Sequence, residues 1–288
     1  GDIATNDREN ADVMADHFKK VFNNHRPIDI SVLDELEQRE IISELGLPPT
    51  NEEFAAALRK IANGKSPGES GITPEALKNL DHSHSRTLRE FLREYWTNPN
   101  VDYEEWHRNS LCALRKAGNG KDYSDPNNWR GICLAEIPAK IQSSIISNRL
   151  LLHLEKVGIE TQYGCVPGKG CTDALYAIKT ALQIRKQHGK DTWAVFVDLV
   201  KAFDTADHSL LFAILKKYGI PDSLISVIEK MYKDSIVSFK IGSESRDIKY
   251  GIGVKQGDNM APVLFIYLMN AFAETLADKW NFDKLEFR

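Results

Sequence analysis

The sequence predicts an α+β fold in which a small antiparallel sheet packs on helices. Through most of the chain, apolar residues recur every three or four positions, which is the period of amphipathic helices. Two pairs of short apolar runs indicate hairpins, at 109–114 with 131–134 and at 236–241 with 247–254. A further run, 193–199, is apolar on both alternating faces, as is typical of a central strand covered on both sides.

The helices are predicted in order along the chain. Residues 1–25 carry an apolar stripe from Ala11 to Phe22 at helical spacing. Thr50 precedes acidic residues, which is typical of a helix N-terminus, and Pro74 suits the first position of the next helix. Thr172 or Asp173 is expected to cap the helix that ends near residue 186. The remaining helices are predicted at about 88–96, 137–155, 207–218, 223–232 and 259–280.

Composition narrows the classes of function. The net charge of −4 counts mildly against nucleic-acid binding, although residues 108–130 hold five basic residues and two acidic ones. No apolar run approaches the roughly 18 residues that span a bilayer, and the polar start does not resemble a signal peptide. We therefore expect no membrane contact. The four cysteines show no Cys-x-x-Cys pair and are expected to be reduced thiols of an intracellular protein. The absence of an initial Met indicates a piece of something longer.

Asp198 is the sharpest chemical feature. It lies at the end of the predicted central strand, where a carboxylate is costly unless it has a partner. A magnesium ion is a natural partner, since it prefers hard oxygen ligands and often combines one or two carboxylates with substrate phosphates. The alternative is a buried aspartate that caps the turn or helix behind it.

Two loops complete the candidate site. The turn after Asp198 exposes backbone N–H groups from Leu199 to Phe203, Lys201 and Ala202 included, which can cradle a triphosphate. The loop 251–262 joins glycines to Gln256 just before a helix start that favours anions. The basic loop 116–130 suits phosphates as well. Taken singly, the alternatives are a glycine turn with a helix cap and a solvated loop.

Five sequence blocks resemble the reverse transcriptase domain of non-LTR, LINE-type retrotransposons. They occur in the family's order and with plausible gaps over residues 63–270, which makes chance agreement very unlikely. Residues 63–72 resemble "NGKAPGPDGI", and residues 128–134 resemble "NYRPISL". The other three are 162–174, resembling "QxGFRPGRSTxDA", 196–204, resembling "FxDxxKAFD", and 253–262, resembling "GVRQGDPLSP".

The resemblance implies the fingers and partial palm of a right-hand polymerase. Residues 1–50 are then an N-terminal helical extension, 51–190 the fingers with the start of the palm, and 191–288 a partial palm. The family's next block, with two adjacent aspartates, and its thumb do not occur in the sequence. The chain is therefore expected to be truncated before them.

The resemblance also implies roles for individual residues. Asp198 is a catalytic, metal-binding aspartate, and Leu199 offers its carbonyl to a second metal ion. Phe203 is the gate that rejects a 2′-hydroxyl, and Asp204 caps or braces the following helix. The nucleotide is held by a further set of residues: Gln256, Gly257, Arg130, and Lys116 or Lys121.

The implied function is RNA-directed DNA synthesis by a two-metal mechanism, with Mg²⁺ or Mn²⁺ as cofactor. The implied partners are an RNA template, a DNA primer and deoxynucleoside triphosphates, and the implied location is the nucleus and cytoplasm. We expect the 288-residue chain to be inactive alone. Two alternatives remain open: a degenerate remnant that binds RNA without chemistry, and a structural module without a nucleic-acid role.

Overall fold

A computed structural model describes residues 6–118 and 120–280, and the predicted α+β class is confirmed. The elements up to the middle of the chain are α1 (Asp7–Phe22), α2 (Asn51–Lys60), α3 (Pro74–Lys78), α4 (His82–Thr97), α5 (Glu104–His107), β1 (Arg108–Arg115) and β2 (Trp129–Leu134). The later elements are α6 (Ile137–Val157), α7 (Cys171–Gln187), α8 (His208–Lys217), α9 (Asp222–Tyr232), β3 (Ile236–Ile241), β4 (Glu244–Lys249) and α10 (Ala261–Trp280).

Side-chain caps set several helix starts. At α2 the backbone N–H of Glu53 donates to Thr50 Oγ1 over 3.1 Å, while the N–H of Thr50 donates to Glu53 Oε2 over 2.8 Å. This reciprocal pair satisfies two N–H groups that the helix leaves free, and a cap of this kind is worth about 1 kcal/mol. The predicted start of α2 is confirmed.

The start of α7 differs from the prediction. Its N-cap is Gly170, not Thr172 or Asp173. Asp173 stands at the third helical position, from which its Oδ2 accepts the N–H of Gly170 over 2.8 Å. The acidic residue therefore supports the cap from inside the helix, which shifts the helix start upstream of the predicted position.

The four strands form one sheet in the order β2-β1-β3-β4. Both hairpin pairs, β1 with β2 and β3 with β4, are antiparallel as predicted. The two hairpins join through β1 and β3, which run parallel from Arg108 opposite Ile236 to Leu111 opposite Phe239. The sheet is thus mixed, and the prediction of an antiparallel sheet was wrong at this junction, because the long helical connection lets β3 return in either direction.

Helix α1 covers one face of this sheet. Phe18 and Phe22 stack at 5.5 Å between ring centroids, and each also meets a residue of the β3–β4 side: Phe18 contacts Phe239 at 6.1 Å and Phe22 contacts Tyr250 at 4.6 Å. These rings are buried together with Leu111 and other strand residues. The predicted apolar stripe of α1 therefore packs against both hairpins.

The larger core lies among α6, α8, α9 and α10. Helix α6 is buried on most of its surface, with Ile141, Ile145 and Leu150 inaccessible to solvent. Arg149 lies in the same helix and is buried as well, where its guanidinium binds both carboxylate oxygens of Glu53 at 2.6 Å. Among the described residues, none of the helices has the length and apolar character needed to cross a bilayer.

The predicted central strand at 193–199 is absent from the structure. Residues 191–199 have no regular secondary structure, and Trp193 and Phe196 are 94% and 85% exposed. An apolar strand needs neighbouring strands to pair its backbone and surfaces to cover both faces. The described residues provide neither at this position.

Candidate nucleotide-binding site

One cavity of about 250 Å³ gathers most of the predicted site residues. Its walls come from α1, from the end of the β1–β2 hairpin, from the segment after residue 198 and from the loop before α10. The predicted residues that line it are Lys116, Arg130, Leu199, Lys201, Ala202, Phe203 and Gln256. Residues from three sequence blocks that lie far apart in the chain thus share one small space.

The hairpin holds its two cations firmly. Arg130 is on β2, in register with Leu114 of β1, and Lys116 follows the end of β1. The N–H of Lys116 donates to the carbonyl of Asn128 over 2.8 Å, and its Nζ donates to the carbonyl of Asn127 over 2.8 Å. Arg130 is therefore presented from a paired strand, and Lys116 from a loop that its own hydrogen bonds brace.

The segment after residue 200 is fixed to the loop before α10 by two backbone bonds. The N–H of Val254 donates to the carbonyl of Phe203, and the N–H of Gly253 donates to that of Ala206, both over 2.8 Å. Gly253 has φ +94, and a Cβ there would lie 2.8 Å from the Phe203 oxygen, so glycine is required. The Phe203 ring stacks on Phe265 of α10 at 4.9 Å, which fixes its orientation.

Positive charge dominates the cavity. Burial lowers the pKa of Lys116, and the neighbouring Lys201 and Arg130 lower it further. Burial raises the pKa of Asp204, against the opposing effect of the same three cations. Clustered, partly desolvated cations repel each other, and an anion placed among them relieves that repulsion.

Gln256 reaches the cavity from a tight turn. The N–H of Asp258 donates to the carbonyl of Lys255 over 3.0 Å, and Gly257 has φ +108. The Gln256 carbonyl accepts the N–H of Cys133 in β2 over 2.7 Å. A Cβ on Gly257 would lie 2.6 Å from the Cys133 oxygen, so only glycine allows this close approach of the turn to the strand.

Gly257 lines a second cavity, of about 830 Å³, rather than the first. Because Gln256 and Gly257 are adjacent, their turn stands between the two spaces. The second cavity is also basic. Its polar lining residues are Lys60, Lys65, Ser66, Lys140, Ser144, Ser147, Asp258 and Asn259.

Asp198 and Lys121 are not among the residues that line the first cavity. Asp198 is exposed and lies in the irregular segment just before Leu199. Across residues 6–118 and 120–280, no group of three or more His, Cys, Asp or Glu residues is placed to hold a metal ion. The metal-binding role of Asp198 therefore stays a prediction.

Sequence reasoning missed part of the cavity wall. His17, Phe18, Val21 and Phe22 of α1 line it, although the sequence predicts an N-terminal helical extension outside the site. Their helical spacing signalled a buried face but gave no sign of what it would cover.

Asp204 also lines the cavity. Of the prediction that it caps or braces the following helix, the cap was wrong and the bracing role stays a prediction. The cap of α8 is Asp207, whose Oδ1 accepts the N–H of Leu210 over 3.0 Å. Asp204 and Asp207 both precede the helix closely enough to cap it. The 3-10 turn at Phe203–Thr205 includes Asp204, which leaves Asp207 at the N-cap position.

Comparison with protein families gives a match that covers more than half of the chain. Residues 114–287 match the family described as "Reverse transcriptase (RNA-dependent DNA polymerase)". The matched region includes β2 and the turn that carries Gln256. It also includes the other segments that line the two cavities, except the α1 face and the residues around Lys60 and Lys65.

Curated relatives agree with that match. The chain is 28% identical over 220 residues to the "Retrovirus-related Pol polyprotein from type-1 retrotransposable element R2" of Popillia japonica, covering 76% of this chain and 29% of that protein. It is 28% identical over 229 residues to the "Transposon TX1 uncharacterized 149 kDa protein" of Xenopus laevis, covering 79% and 17%. It is 24% identical over 274 residues to the "Probable RNA-directed DNA polymerase from transposon BS" of Drosophila melanogaster, covering 92% and 30%. The chain thus spans less than a third of the length of each of these relatives.

Proposed function

Because the chain belongs to the reverse transcriptase (RNA-dependent DNA polymerase) family, in its non-LTR, LINE-type branch, we propose that it binds the incoming nucleotide during RNA-directed DNA synthesis. The fingers and partial palm expected from the sequence belong to this proposal, as do the boundaries at residues 50 and 190. The predicted family membership is confirmed, and the assignments below build on it.

The cationic cavity carries the proposal. It brings Lys116, Arg130 and Lys201 together around about 250 Å³, slightly less than the roughly 300–1,000 Å³ of typical small-molecule sites. That volume suits the triphosphate better than a whole nucleotide. Arg130 grips phosphate oxygens in bidentate fashion, and the two lysines act as point charges.

The backbone contributes as well. Lys201 has φ +53, a left-handed conformation that is uncommon outside glycine. Such a residue within a turn points successive N–H groups to one side, which makes a concave site for an anion. We assign the N–H groups of Lys201 and Ala202 to the triphosphate, Phe203 to the sugar and Gln256 to the nucleotide.

Leu199 lines the cavity and Asp198 directly precedes it, so these two residues would hold magnesium together with the phosphates of a bound triphosphate. Asp198 supplies one carboxylate and Leu199 one carbonyl, and magnesium commonly takes one or two carboxylates with substrate phosphates. When bound, one ion, magnesium or manganese, would lower the pKa of the primer hydroxyl, and a second ion would stabilise the leaving pyrophosphate. A further carboxylate for the second ion would come from residues beyond those described.

The second cavity is proposed to take the RNA template. A template base must pair with the incoming nucleotide, so the template strand has to pass close to Gln256 and Gly257. Lys60, Lys65 and Lys140 line that cavity beside the turn and provide charges for a phosphate backbone. We further propose that the chain works in the nucleus and cytoplasm as part of a longer polymerase that also holds the DNA primer.

Primer extension tests the proposed function. The 288-residue chain with Mg²⁺ or Mn²⁺ is expected to give no product on a primed RNA template, whereas a longer version that contains the chain extends the primer. Asp198→Asn in the longer version should reduce synthesis by about a thousandfold or more, since the carboxylate charge holds the ion. Synthesis at a near wild-type rate would remove Asp198 from the metal site.

Binding measurements separate the alternatives. A chain that binds single-stranded RNA with a steep salt dependence, in a longer protein that never extends a primer, would be an RNA-binding remnant. A chain with no salt-dependent RNA affinity would be a structural module. The cation cluster around the cavity favours a nucleic-acid or nucleotide ligand over a structural module, and Gln256 beside it favours the polymerase over the RNA-binding remnant.

A further inference from the structure

The turn that carries Gln256 contacts two helix ends of opposite partial charge, the C-terminal end of α9 and the N-terminal end of α10. Its first corner is Lys255, which is 4% exposed and whose Nζ donates to the carbonyl of Met231 over 2.9 Å. Met231 lies in the last turn of α9, where carbonyls lack helical partners and carry the negative end of the helix dipole. The ammonium also lies 5.1 Å from the centre of the Tyr232 ring.

The other corner, Asp258, faces the start of α10. Its Oδ1 accepts the hydroxyl of Ser143 in α6 and the N–H of Met260 at 3.4 Å. The same N–H reaches Ser143 Oγ at 3.1 Å. The beginning of a helix carries the positive end of the dipole, so a carboxylate is favoured there.

A buried ammonium is expensive, and an apolar side chain of similar length would fill the same volume at lower cost. Packing alone therefore does not explain why a lysine occupies position 255. Its hydrogen bond anchors the turn to α9, while Asp258 anchors it to α6 and α10. Between the two anchors, the Gln256 carbonyl is tied to Cys133 of β2 over 2.7 Å.

We propose that Lys255 and Asp258 are positioning residues, which hold the Gln256–Gly257 turn at the place where Gln256 meets the incoming nucleotide. This inference rests on the proposed function, because it assigns the turn to that nucleotide. Neither residue is required to touch the substrate. Each acts through the turn, whose displacement lengthens or misaligns the hydrogen bond that Gln256 makes to the nucleotide.

Nucleotide titration of the whole 288-residue chain tests the proposal. Binding of a fluorescently labelled deoxythymidine triphosphate is measured for the wild type, Lys255→Met and Lys255→Arg. The methionine variant keeps the volume and loses the anchor, so its affinity should fall about 3- to 10-fold, as expected for the loss of one hydrogen bond from Gln256. The arginine variant keeps the charge and a donor, matches the family string "GVRQGD" at this position, and should retain most of the affinity.

Binding of labelled single-stranded RNA is the control for general loss of structure. Unfolding would abolish RNA binding, whereas loss of the Lys255 anchor should change RNA affinity little. Across the three proteins, RNA affinity should fall much less than nucleotide affinity, because the phosphate contacts from Lys60, Lys65 and Lys140 are unchanged and the turn forms only part of that cavity. Ser143→Ala is the milder variant if Lys255→Met does not fold. It removes one donor to Asp258 and should weaken nucleotide binding while RNA binding persists.

The outcomes are distinct. If the wild type and Lys255→Met bind the nucleotide equally well, the positioning role is overturned and the proposed function stays intact. If Lys255→Met does not fold, equal binding by the wild type and Ser143→Ala has the same meaning. A wild type that does not bind the nucleotide overturns the proposed function, and the positioning role with it. Parallel loss of nucleotide and RNA binding in Lys255→Met, not rescued by arginine, also overturns the positioning role, since it reveals general support of the fold.

Discussion

Helices α6 and α7 are similar in length and both rich in apolar residues, yet one is buried and the other is exposed. Leu150 of α6 is 0% exposed, whereas Leu175 of α7 is 56% exposed. In α7, all of which the structure describes, no residue is buried. The exposure continues through residues 191–200, which include Trp193 and Phe196. The part of the chain that leads to Asp198 is therefore apolar and uncovered, while the part behind the cavity is closely packed.

The difference shows that an apolar pattern indicates which side chains would be stabilised by burial, but does not indicate whether other elements cover them. Helix α6 is buried because α2, α4 and α10 all contact it. The contacts that would cover α7 and residues 191–200 are not provided by the rest of the described chain. Contiguous exposed apolar residues of this kind are typical of surfaces that another segment or partner covers.

Hydrogen exchange should give the largest contrast. Amides of residues 191–200 are expected to exchange about a thousandfold or more faster than those in the middle of α6, because opening of α6 requires unfolding of the core. Exchange is measured on the 288-residue chain by mass spectrometry. Amides of α8 serve as the control, since that helix is packed in the same core. Slow exchange at 191–200 would show that this segment is covered in solution and would end the comparison.

Matched leucine substitutions should give the next largest effect. Leu150→Ala leaves a cavity in the core and is expected to lower the free energy of unfolding by about 2–5 kcal/mol. Leu175→Ala removes an exposed side chain and should change it by less than about 0.5 kcal/mol. Urea unfolding of both variants measures the difference. Equal losses would mean that α7 is packed as well as α6.

A smaller, pH-dependent effect is expected where the exposed segment meets the packed part of the chain. Burial raises the pKa of Asp204, so the folded state binds its proton more tightly than the unfolded state. Stability from this group is present below the unfolded pKa and is lost as pH rises through the folded pKa. Asp204→Asn removes the cost of a buried charge and should therefore stabilise the chain at pH 7.

The advantage of Asp204→Asn should shrink as the pH falls towards the ordinary pKa of an aspartate. Asp191→Asn, in the exposed segment, is the control and should change the free energy of unfolding by less than about 0.5 kcal/mol at either pH. Thermal unfolding at several pH values measures both. Destabilisation by Asp204→Asn at pH 7 would contradict the raised pKa.

Much of the fold could be predicted from the sequence because local signals specify it. The reciprocal cap at Thr50 and the proline at Pro74 define helix starts without help from distant residues. The two hairpins follow from alternation and turn residues. The direction in which β1 meets β3 could not be predicted, because a register between residues 128 positions apart leaves no local trace.

For the candidate site, short motifs predicted residues that the structure brings together, while their binding roles stay predictions. Arg130, Lys201 and Gln256 do share a cavity, as phosphate and nucleotide contacts require. The participation of His17 and Asp204 could not be predicted, since it depends on how α1 and the turn after Phe203 pack. Metal binding by Asp198 is untested, because its segment lacks the covering elements that a central strand needs.

The parallel pairing of β1 with β3 also bears on how the protein is made. Strand β1 leaves the ribosome long before β3, and at roughly 5–20 residues per second the intervening 128 residues take about 6–25 s to synthesise. During that time, one edge of the β1–β2 hairpin offers unpaired N–H and C=O groups to any other nascent chain. The protein is therefore expected to depend on chaperones during translation more than its size suggests.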